Sequence, residues 1–176
     1  MKPRYLYLIS TFNVHNYSHF MAILNIGIQE ALKKITHFCS YQERSHQEVR
    51  DKLYGFGLYK DQVEEIVMQL IQEDYLNEER YATAFAGGKF RMKSWGKVKI
   101  KYELKQKGIS DYCIKKALAD IDEDAYLAKT TQLYEGKLKE LTKEKNSFVR
   151  RKKIQNYLLQ KGYELSIINE IMKTAE

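Results

Sequence analysis

Proline, glycine and cysteine are all scarce in this chain. Its 176 residues contain one proline, nine glycines and two cysteines, and so few turn-forming residues favour helices over a turn-rich β fold. Cys39 and Cys113 are too few for a disulfide framework, so we expect free, buried thiols in a reducing compartment. No apolar run approaches the roughly 18–20 residues that span a membrane, and the start lacks a signal-peptide cleavage site. We therefore expect a cytoplasmic location.

Signatures of catalysis and of cofactor binding are missing as well. The stretch AGGKF at 86–90 lacks the earlier glycine and the following Ser/Thr of a phosphate-binding loop. His15 and His19 are four residues apart without a third ligand, so we expect no metal site there. Adjacent helical residues point about 100° apart, so we interpret Glu78 and Glu79 as helix-capping acids rather than an acid–base pair. The sequence predicts a chain that is not an enzyme and uses no cofactor, metal or small-molecule substrate.

Positive charge is abundant and unevenly distributed. The net charge is +7. Residues 87–107 hold eight lysines and arginines against Glu103 alone, and 137–153 hold eight against two acids, whereas 61–80 hold seven acids against Arg80. Nucleic acid, an anionic membrane surface or an acidic protein would each fit such a chain. A solvated helix face explains each block, taken alone, equally well.

An internal repeat is anchored on three glycines. Gly57, Gly108 and Gly162 are 51 and 54 residues apart, and apolar residues recur at offsets of −8, −4, +1, +6, +9, +10 and +13 in almost every copy. Such offsets have helical periodicity, and the glycine suits a left-handed residue just after a helix end. Lysines alternate with apolar residues at 97–102 as in a strand, but the other copies lack this alternation. The repeat therefore predicts a helix at 97–107.

The repeat predicts an all-α fold, an elongated array of three tandem three-helix repeats. Their bounds are 28–76, 77–121 and 122–176, with Asn77 and Asp122 as N-caps before acidic first turns. Repeats this short bury little alone, so neighbours are expected to stack. Residues 1–27 form an N-terminal extension, either a disordered tail or a mis-assigned start with Met21 as the natural one. Gly87–Gly88 inside a helix indicates a close helix crossing or a kink.

The basic blocks form a predicted surface. Lys97, Lys101 and Lys105 make one exposed stripe beside the buried edge of Ile100 and Leu104. Arg150 to Lys153 stand at the corresponding place in the third repeat, while the first repeat is nearly neutral there. We interpret this as a binding face over the last two repeats rather than chance surface charge. Trp95 either stacks on bases or braces the loop as a core residue.

The stretch YLNEERYATAFAGGKFRMKSWGKVKIKYELKQKGIS, residues 75–110, resembles the signature region of RecX, the bacterial regulator of the RecA recombinase. In that pattern a leucine, acids, an arginine, an aromatic residue and an alanine precede a basic helix, a glycine-containing turn and a closing Glu-Leu…Lys-Gly-Ile. The matching residues are Leu76, Glu78, Glu79, Arg80, Tyr81, Ala82, Lys89 to Lys93, Gly96, Ile100, Glu103, Leu104, Lys107, Gly108 and Ile109. The resemblance covers about 28–176.

The resemblance implies a non-enzymatic regulator of recombination, DNA repair and the SOS response. It implies that the chain lies in the groove of the RecA–DNA filament, where it restrains filament growth, ATP hydrolysis and strand exchange. The partners would be the RecA filament and DNA, reached directly or through the filament. The contact residues carried over by resemblance are Arg80, Arg91, Lys93, Lys97, Lys101 and Lys105 in the second repeat and Arg150, Arg151, Lys152 and Lys153 in the third.

Two other functions are compatible with the residues. A stand-alone nucleic-acid-binding helical array would grip phosphates without RecA, and its binding to bare DNA would depend steeply on salt. A membrane-surface protein is less favoured, because the basic helices carry their apolar residues at repeat-core positions and leave little for lipid.

Overall fold

The structure, a computed structural model, describes residues 25–174, and within this range it contains nine α-helices and no strand. In chain order they are α1 (Ile28–Tyr41), α2 (His46–Gly55), α3 (Lys60–Gln72), α4 (Glu78–Lys93), α5 (Lys97–Gln106), α6 (Asp111–Ala119), α7 (Glu123–Glu140), α8 (Ser147–Lys161) and α9 (Leu165–Thr174). The predicted all-α array of three-helix repeats is confirmed, while the exact repeat bounds remain a prediction. The predicted extension at 1–27, including His15 and His19, lies outside the described residues except for 25–27.

The predicted N-caps begin their helices with a side-chain hydrogen bond. Oδ1 of Asn77 accepts a 3.0 Å hydrogen bond from N of Arg80, and Oδ1 of Asp122 accepts a 2.7 Å bond from N of Ala125. Each bond satisfies a backbone N–H that the first turn of a helix leaves without a partner. Both caps are confirmed.

The two acids after Asn77 join α4 to α6. Oε1 of Glu78 accepts a 2.8 Å hydrogen bond from N of Ser110, and Oε1 of Glu79 lies 2.5 Å from Nζ of Lys116. Ser110 is the N-cap of α6 and Lys116 lies within it. The interpretation of these acids as capping residues was therefore incomplete, because spacing along one helix does not reveal a partner on another.

The three anchor glycines have left-handed backbones. The φ angles of Gly57, Gly108 and Gly162 are 80°, 73° and 91°, a region that glycine enters without the strain that a Cβ brings. Helix α5, which ends just before Gly108, spans Lys97–Gln106. The prediction of helix over strand for this segment is confirmed.

The chain divides after Leu76 into two compact units. In the first unit, α1, α2 and α3 enclose one apolar core, and Ile35, Val49 and Leu70 are completely buried there. Nε and Nη2 of Arg50 lie 2.8 and 2.9 Å from the carboxylate oxygens of Glu64, a bidentate pair that joins α2 to α3. The hydrogen bond from Arg50 holds the pKa of Glu64 below its usual value.

In the second unit, α4 to α9 share a single core. Residues of the second predicted repeat, such as Ile100 and Ile114, belong to the same cluster as Ile154 and Ile168 of the third. This continuity agrees with the expectation that neighbouring three-helix repeats bury their apolar faces against each other.

The nearest neighbours of Gly87–Gly88 belong to their own helix. Helix α4 runs without interruption through both residues. The atoms nearest to a Cβ on Gly87 would be those of the Arg91 guanidinium, and a Cβ on Gly88 would meet the end of Met92. These contacts come from the next turn of the same helix and not from another helix, so they do not support a close helix crossing, while the kink stays a prediction.

Candidate interaction surface

Helix α5 carries the basic stripe predicted from the sequence, beside Ile100 and Leu104, which are completely buried. Lys101 is exposed and has no hydrogen-bonding or ion-pair partner among residues 25–174. Nζ of Lys105 lies 3.0 Å from Oδ1 of Asp111, and about half of each partner or more is exposed. An exposed pair of this kind is worth only about 0–1 kcal/mol, so a stronger anionic partner can displace it.

Lys97 does not belong to the exposed stripe. Only 16% of its side chain is accessible, and its Nζ lies 2.5 Å from Oε1 of Glu123 and 4.8 Å from the ring centroid of Tyr126. The expectation of exposure is wrong at this position. Lys97 is the first residue of α5, and the beginning of α5 packs against the beginning of α7, where Glu123 and Tyr126 lie.

Tyr126 joins three segments of the second unit. Its hydroxyl accepts a 2.8 Å hydrogen bond from N of Lys97 and donates a 2.6 Å bond to Oε2 of Glu164. Its ring centroid lies 5.7 Å from that of Phe90 and 5.1 Å from that of Tyr163. Burial, followed by the bond to Glu164, raises the pKa of Tyr126 far above its usual value. The hydroxyl therefore stays protonated and keeps its role as donor.

The α4–α5 turn packs directly on the end of α8. N of Gly96 donates a 2.9 Å hydrogen bond to O of Lys161, and N of Val98 donates a 3.0 Å bond to O of Gly162. A Cβ on Gly96 would overlap the backbone of Gly162, and one on Gly162 would overlap Lys99. These two glycines thus allow the backbone contact between the second and third repeats.

Trp95 braces this turn. It is half-buried and packs against the core of the second unit, and its N donates a 3.3 Å hydrogen bond to O of Lys89. Nζ of Lys89 and Nζ of Lys99 lie 5.2 and 4.7 Å from its ring centroid. The structure supports the loop brace, and because Trp95 is only half-buried, part of its surface also remains accessible.

Helix α4 places its candidates at opposite ends. Arg80 is half-buried in the first turn, whereas Arg91 and Lys93 are exposed in the last turn. Cations in a last turn interact favourably with the negative end of the helix dipole. Only the C-terminal pair of this helix is therefore presented to solvent.

Helix α8 carries the four candidates of the third repeat. Arg150 and Arg151, both half-buried, border a cavity of about 440 Å³ together with Phe148, which is 76% exposed. Lys152 is exposed, and Lys153 has its Nζ 2.7 Å from a carboxylate oxygen of Glu144. That hydrogen bond lowers the pKa of Glu144.

Sequence reasoning missed a second group of lysines, each placed over an aromatic ring. Lys89, Lys99 and Lys161 follow Phe85, Trp95 and Tyr157 by four residues each, and each ammonium lies within 6 Å of the ring that precedes it. Residues four apart are neighbours on a helix surface, which applies to the pairs within α4 and α8, whereas Trp95 lies in the turn before α5. A search for an aromatic residue followed four positions later by lysine would have found all three.

Some expected features can be checked directly in the described residues. Cys39 and Cys113 are free and buried, as predicted, and burial raises the pKa of both thiols. Between residues 25 and 174 no group of three histidine, cysteine or carboxylate side chains is placed to hold a metal ion. None of the helices in this range combines the length and apolarity that crossing a bilayer needs.

These features define the class: an all-α repeat protein with a lysine-rich surface as its candidate site. A family model described as RecX, second three-helix domain, matches residues 77–118, and one described as RecX, third three-helix domain, matches 124–172. Together they cover just over half of the sequence, and the chain belongs to the RecX family.

Curated relatives agree with this assignment. Regulatory protein RecX from Clostridium botulinum strain Eklund 17B is 32% identical over 133 residues, which are 75% of this chain and 62% of that protein. The protein of the same name from Bacillus cereus strain B4264 is 29% identical over 147 residues, 83% of this chain and 54% of that one. The protein of that name from Prosthecochloris aestuarii is 28% identical over 145 residues, which are 82% of this chain and 92% of that protein. The chain thus spans less than two thirds of the first two relatives.

Solved structures share the fold. A crystal structure of RecX from Lactobacillus salivarius has a TM-score of 0.74 and 29% identity, covering 84% of this chain and 95% of that one. A crystal structure described as regulatory protein RecX has a TM-score of 0.75 and 21% identity, covering 90% of this chain and 76% of that one, a likeness of fold alone.

Proposed function

We propose that this chain is a non-enzymatic regulator that binds the groove of the RecA–DNA filament and mostly inhibits RecA. The observation that carries the proposal is membership of the RecX family through two domains, 77–118 and 124–172, which contain all ten basic candidates. The bound chain would restrain ATP hydrolysis, filament growth and strand exchange in recombination, DNA repair and the SOS response. It would act in the cytoplasm without a cofactor or small-molecule substrate.

The surroundings of the basic residues rank them as contacts. Arg91, Lys93, Lys101 and Lys152 are exposed and can reach an acidic protein surface or a phosphate at little cost. Exposed cations of this kind attract anionic partners over roughly 10 Å at ordinary salt. Lys105 and Lys153 each pair with a carboxylate of this chain. They would have to release it before binding a carboxylate or phosphate of the partner, and exposed ion pairs are weak enough to be replaced in this way.

Lys97 is the weakest contact candidate among the ten. Its Nζ is held by Glu123 and by the Tyr126 ring with 16% of the side chain accessible. Recruiting it would leave Glu123 without its cation and expose the beginning of α7. We therefore place filament contact on Lys101 and Lys152 before Lys97.

The test is DNA-dependent ATP hydrolysis by RecA on single-stranded DNA, with this chain added at well below one copy per RecA. Suppression at such a ratio supports binding along the filament. Suppression only once the DNA itself is saturated would mean competition for phosphates, and stand-alone nucleic-acid binding would replace the proposal.

A pair of charge-reversal variants locates the surface. K101E/K152E is expected to weaken suppression at least tenfold, because two attractive contacts become repulsive. K115E/K173E reverses the same number of charges at exposed positions outside the candidate set and is the matched control. An equal loss of ATPase suppression in both variants would mean that the effect depends on net charge alone, and the surface assignment would be wrong.

A further inference from the structure

Three lysines and three aromatic rings form one cluster in the second unit. We define the lysine–aromatic cluster as Phe85, Lys89, Trp95, Lys99, Tyr157 and Lys161. Nζ of Lys89 lies 5.0 Å from the ring centroid of Phe85 and 5.2 Å from that of Trp95. Nζ of Lys99 lies 4.7 Å from that of Trp95, and Nζ of Lys161 lies 5.8 Å from that of Tyr157.

The cluster is continuous across the two repeats. The hydrogen bond from N of Gly96 to O of Lys161 places the backbone beside Trp95 against the end of α8. Of the cluster residues, Tyr157 borders a cleft of about 490 Å³, whose lining includes lysines as well as the acids Glu135 and Glu140. The ammonium of Lys137 lies 5.1 Å from the Tyr157 centroid and also pairs with Glu140.

The lysines of this cluster differ from predicted contacts such as Lys101 and Lys152 in being held against aromatic rings. Lys89, Lys99 and Lys161 form no ion pair with a carboxylate among residues 25–174, and their contacts are with ring faces. Several other lysines of the same unit are neutralised within the chain, namely Lys97 by Glu123, Lys105 by Asp111, Lys116 by Glu79 and Lys153 by Glu144. The cluster therefore keeps three positive charges that no carboxylate of the described residues neutralises.

The rings hold the ammonium groups in place. The face of an aromatic ring attracts a cation by about 0.5–1 kcal/mol at exposed sites without cancelling its charge, as a carboxylate would. Neighbouring ammonium groups that are held in this way raise the local positive electrostatic potential. An anionic chain that binds across them is stabilised by that potential. Such a surface is prepared for a ligand with several negative charges in a row.

We propose that the lysine–aromatic cluster binds the phosphodiester backbone of single-stranded nucleic acid. Lysine ammonium groups bind phosphate oxygens as point charges. Aromatic side chains interleaved with cations are also the arrangement by which single-strand-binding surfaces combine phosphate contact with base stacking. The inference deepens the proposed function, on which it rests, because it names the surface that meets DNA.

Trp95 makes the test direct, since it is the only tryptophan in the chain. The intact protein is titrated with oligothymidylate of about 20 nucleotides, longer than the usual site of about 4–16, while tryptophan fluorescence is recorded at several salt concentrations. Saturable quenching is expected, with binding that weakens linearly on a plot of log affinity against log salt.

Three double variants test whether the cluster is the binding surface. K89Q/K99Q is expected to weaken binding on the order of tenfold and to lower the salt slope by about 1.4, roughly 0.7 for each lost phosphate contact. K115Q/K173Q removes the same charge at exposed positions elsewhere and is expected to bind like the unaltered chain. K89R/K99R keeps the charge on the rings and is expected to retain binding, which keeps the test decisive if the glutamine variant misfolds.

Four outcomes would overturn the inference. They are no quenching at low salt, equal affinity of K89Q/K99Q and the unaltered chain, equal binding of polyglutamate with the same number of charges, and tighter binding of a duplex of the same length. The last would mean that the surface does not select single strands. RecA is absent from this assay, so its failure leaves the filament proposal to be judged by ATP hydrolysis alone.

Discussion

The hydroxyl of Tyr126 donates a 2.6 Å hydrogen bond to Oε2 of Glu164. Tyr126 lies in the first turn of α7, and Glu164 lies in the short connection between α8 and α9. The hydroxyl oxygen of Tyr126 also accepts a hydrogen bond from N of Lys97 at the start of α5. One buried hydroxyl thereby connects the beginning of α5 to two segments of the third repeat.

Replacing Tyr126 by phenylalanine should destabilise the second unit by about 1–3 kcal/mol. The change removes one hydroxyl and leaves both the amide of Lys97 and the carboxylate of Glu164 without this partner. Urea unfolding followed by Trp95 fluorescence measures the free energy of unfolding of the second unit, because Trp95 belongs to this unit. Tyr112 is 70% exposed, so Y112F is the control and should unfold like the unaltered chain. Equal stability of Y126F and Y112F would contradict the role assigned to the bond.

Two glycine-to-alanine changes should have opposite signs. G96A is expected to cost about 1–3 kcal/mol, because its Cβ would overlap the backbone of Gly162 and force the packed turn to move. G136A lies inside α7 with nothing within 4 Å of the added Cβ, so higher helix propensity should stabilise it by up to about 1 kcal/mol. Urea midpoints for the two variants are compared. Stabilisation by both would mean that the turn does not pack on α8 as described.

Lys97 and Lys101 should respond differently to charge reversal. K97E places a carboxylate beside Glu123 and removes the ammonium from the Tyr126 ring, so we expect a loss of about 1–2 kcal/mol in unfolding free energy. K101E changes an exposed residue and should stay within about 0.5 kcal/mol. Thermal unfolding followed by circular dichroism gives the melting temperature of each variant. If K97E and the unaltered chain have the same melting temperature, Lys97 does not contribute to the packing described.

The first unit should lose stability in alkali through Cys39. Burial raises the pKa of this thiol from 9.0 to about 11, so the folded state retains a proton that the unfolded state has lost. The contribution of the neutral thiol is complete below pH 9 and disappears as the pH rises towards 11. In a C113A variant, thiolate absorbance should appear near pH 11 in the native protein and near pH 9 in urea. Native titration near pH 9 would contradict the burial of Cys39.

Local sequence was sufficient to predict the features that depend on helical periodicity or on backbone hydrogen bonding within one turn. The offsets around Gly57, Gly108 and Gly162 predicted the helices on either side, because a helix buries every third or fourth residue. Asn77 and Asp122 were recognised as caps, because the bond that they make lies within four residues. Even the misleading alternation at 97–102 was resolved by comparing copies of the repeat.

The candidate site was less accessible to sequence reasoning, because the charge of a lysine does not reveal its partner. Lys97 and Lys101 are equivalent on a helical wheel, yet Glu123 neutralises the first and nothing described neutralises the second. That difference arises 26 residues away along the chain. The aromatic spacing that marks Lys89, Lys99 and Lys161 was present in the sequence, but its meaning depended on which lysines had no carboxylate.

The sequence alone determined an all-α chain, the ends of several helices, a tandem repeat and a basic surface in its last two copies. These depend on interactions within one turn of helix or on composition. Only the tertiary structure decided that the second and third repeats share one core, that Gly96 packs on Gly162, and which cations remain uncompensated. Those features depend on contacts between residues distant along the chain, and such contacts form only when the helices pack.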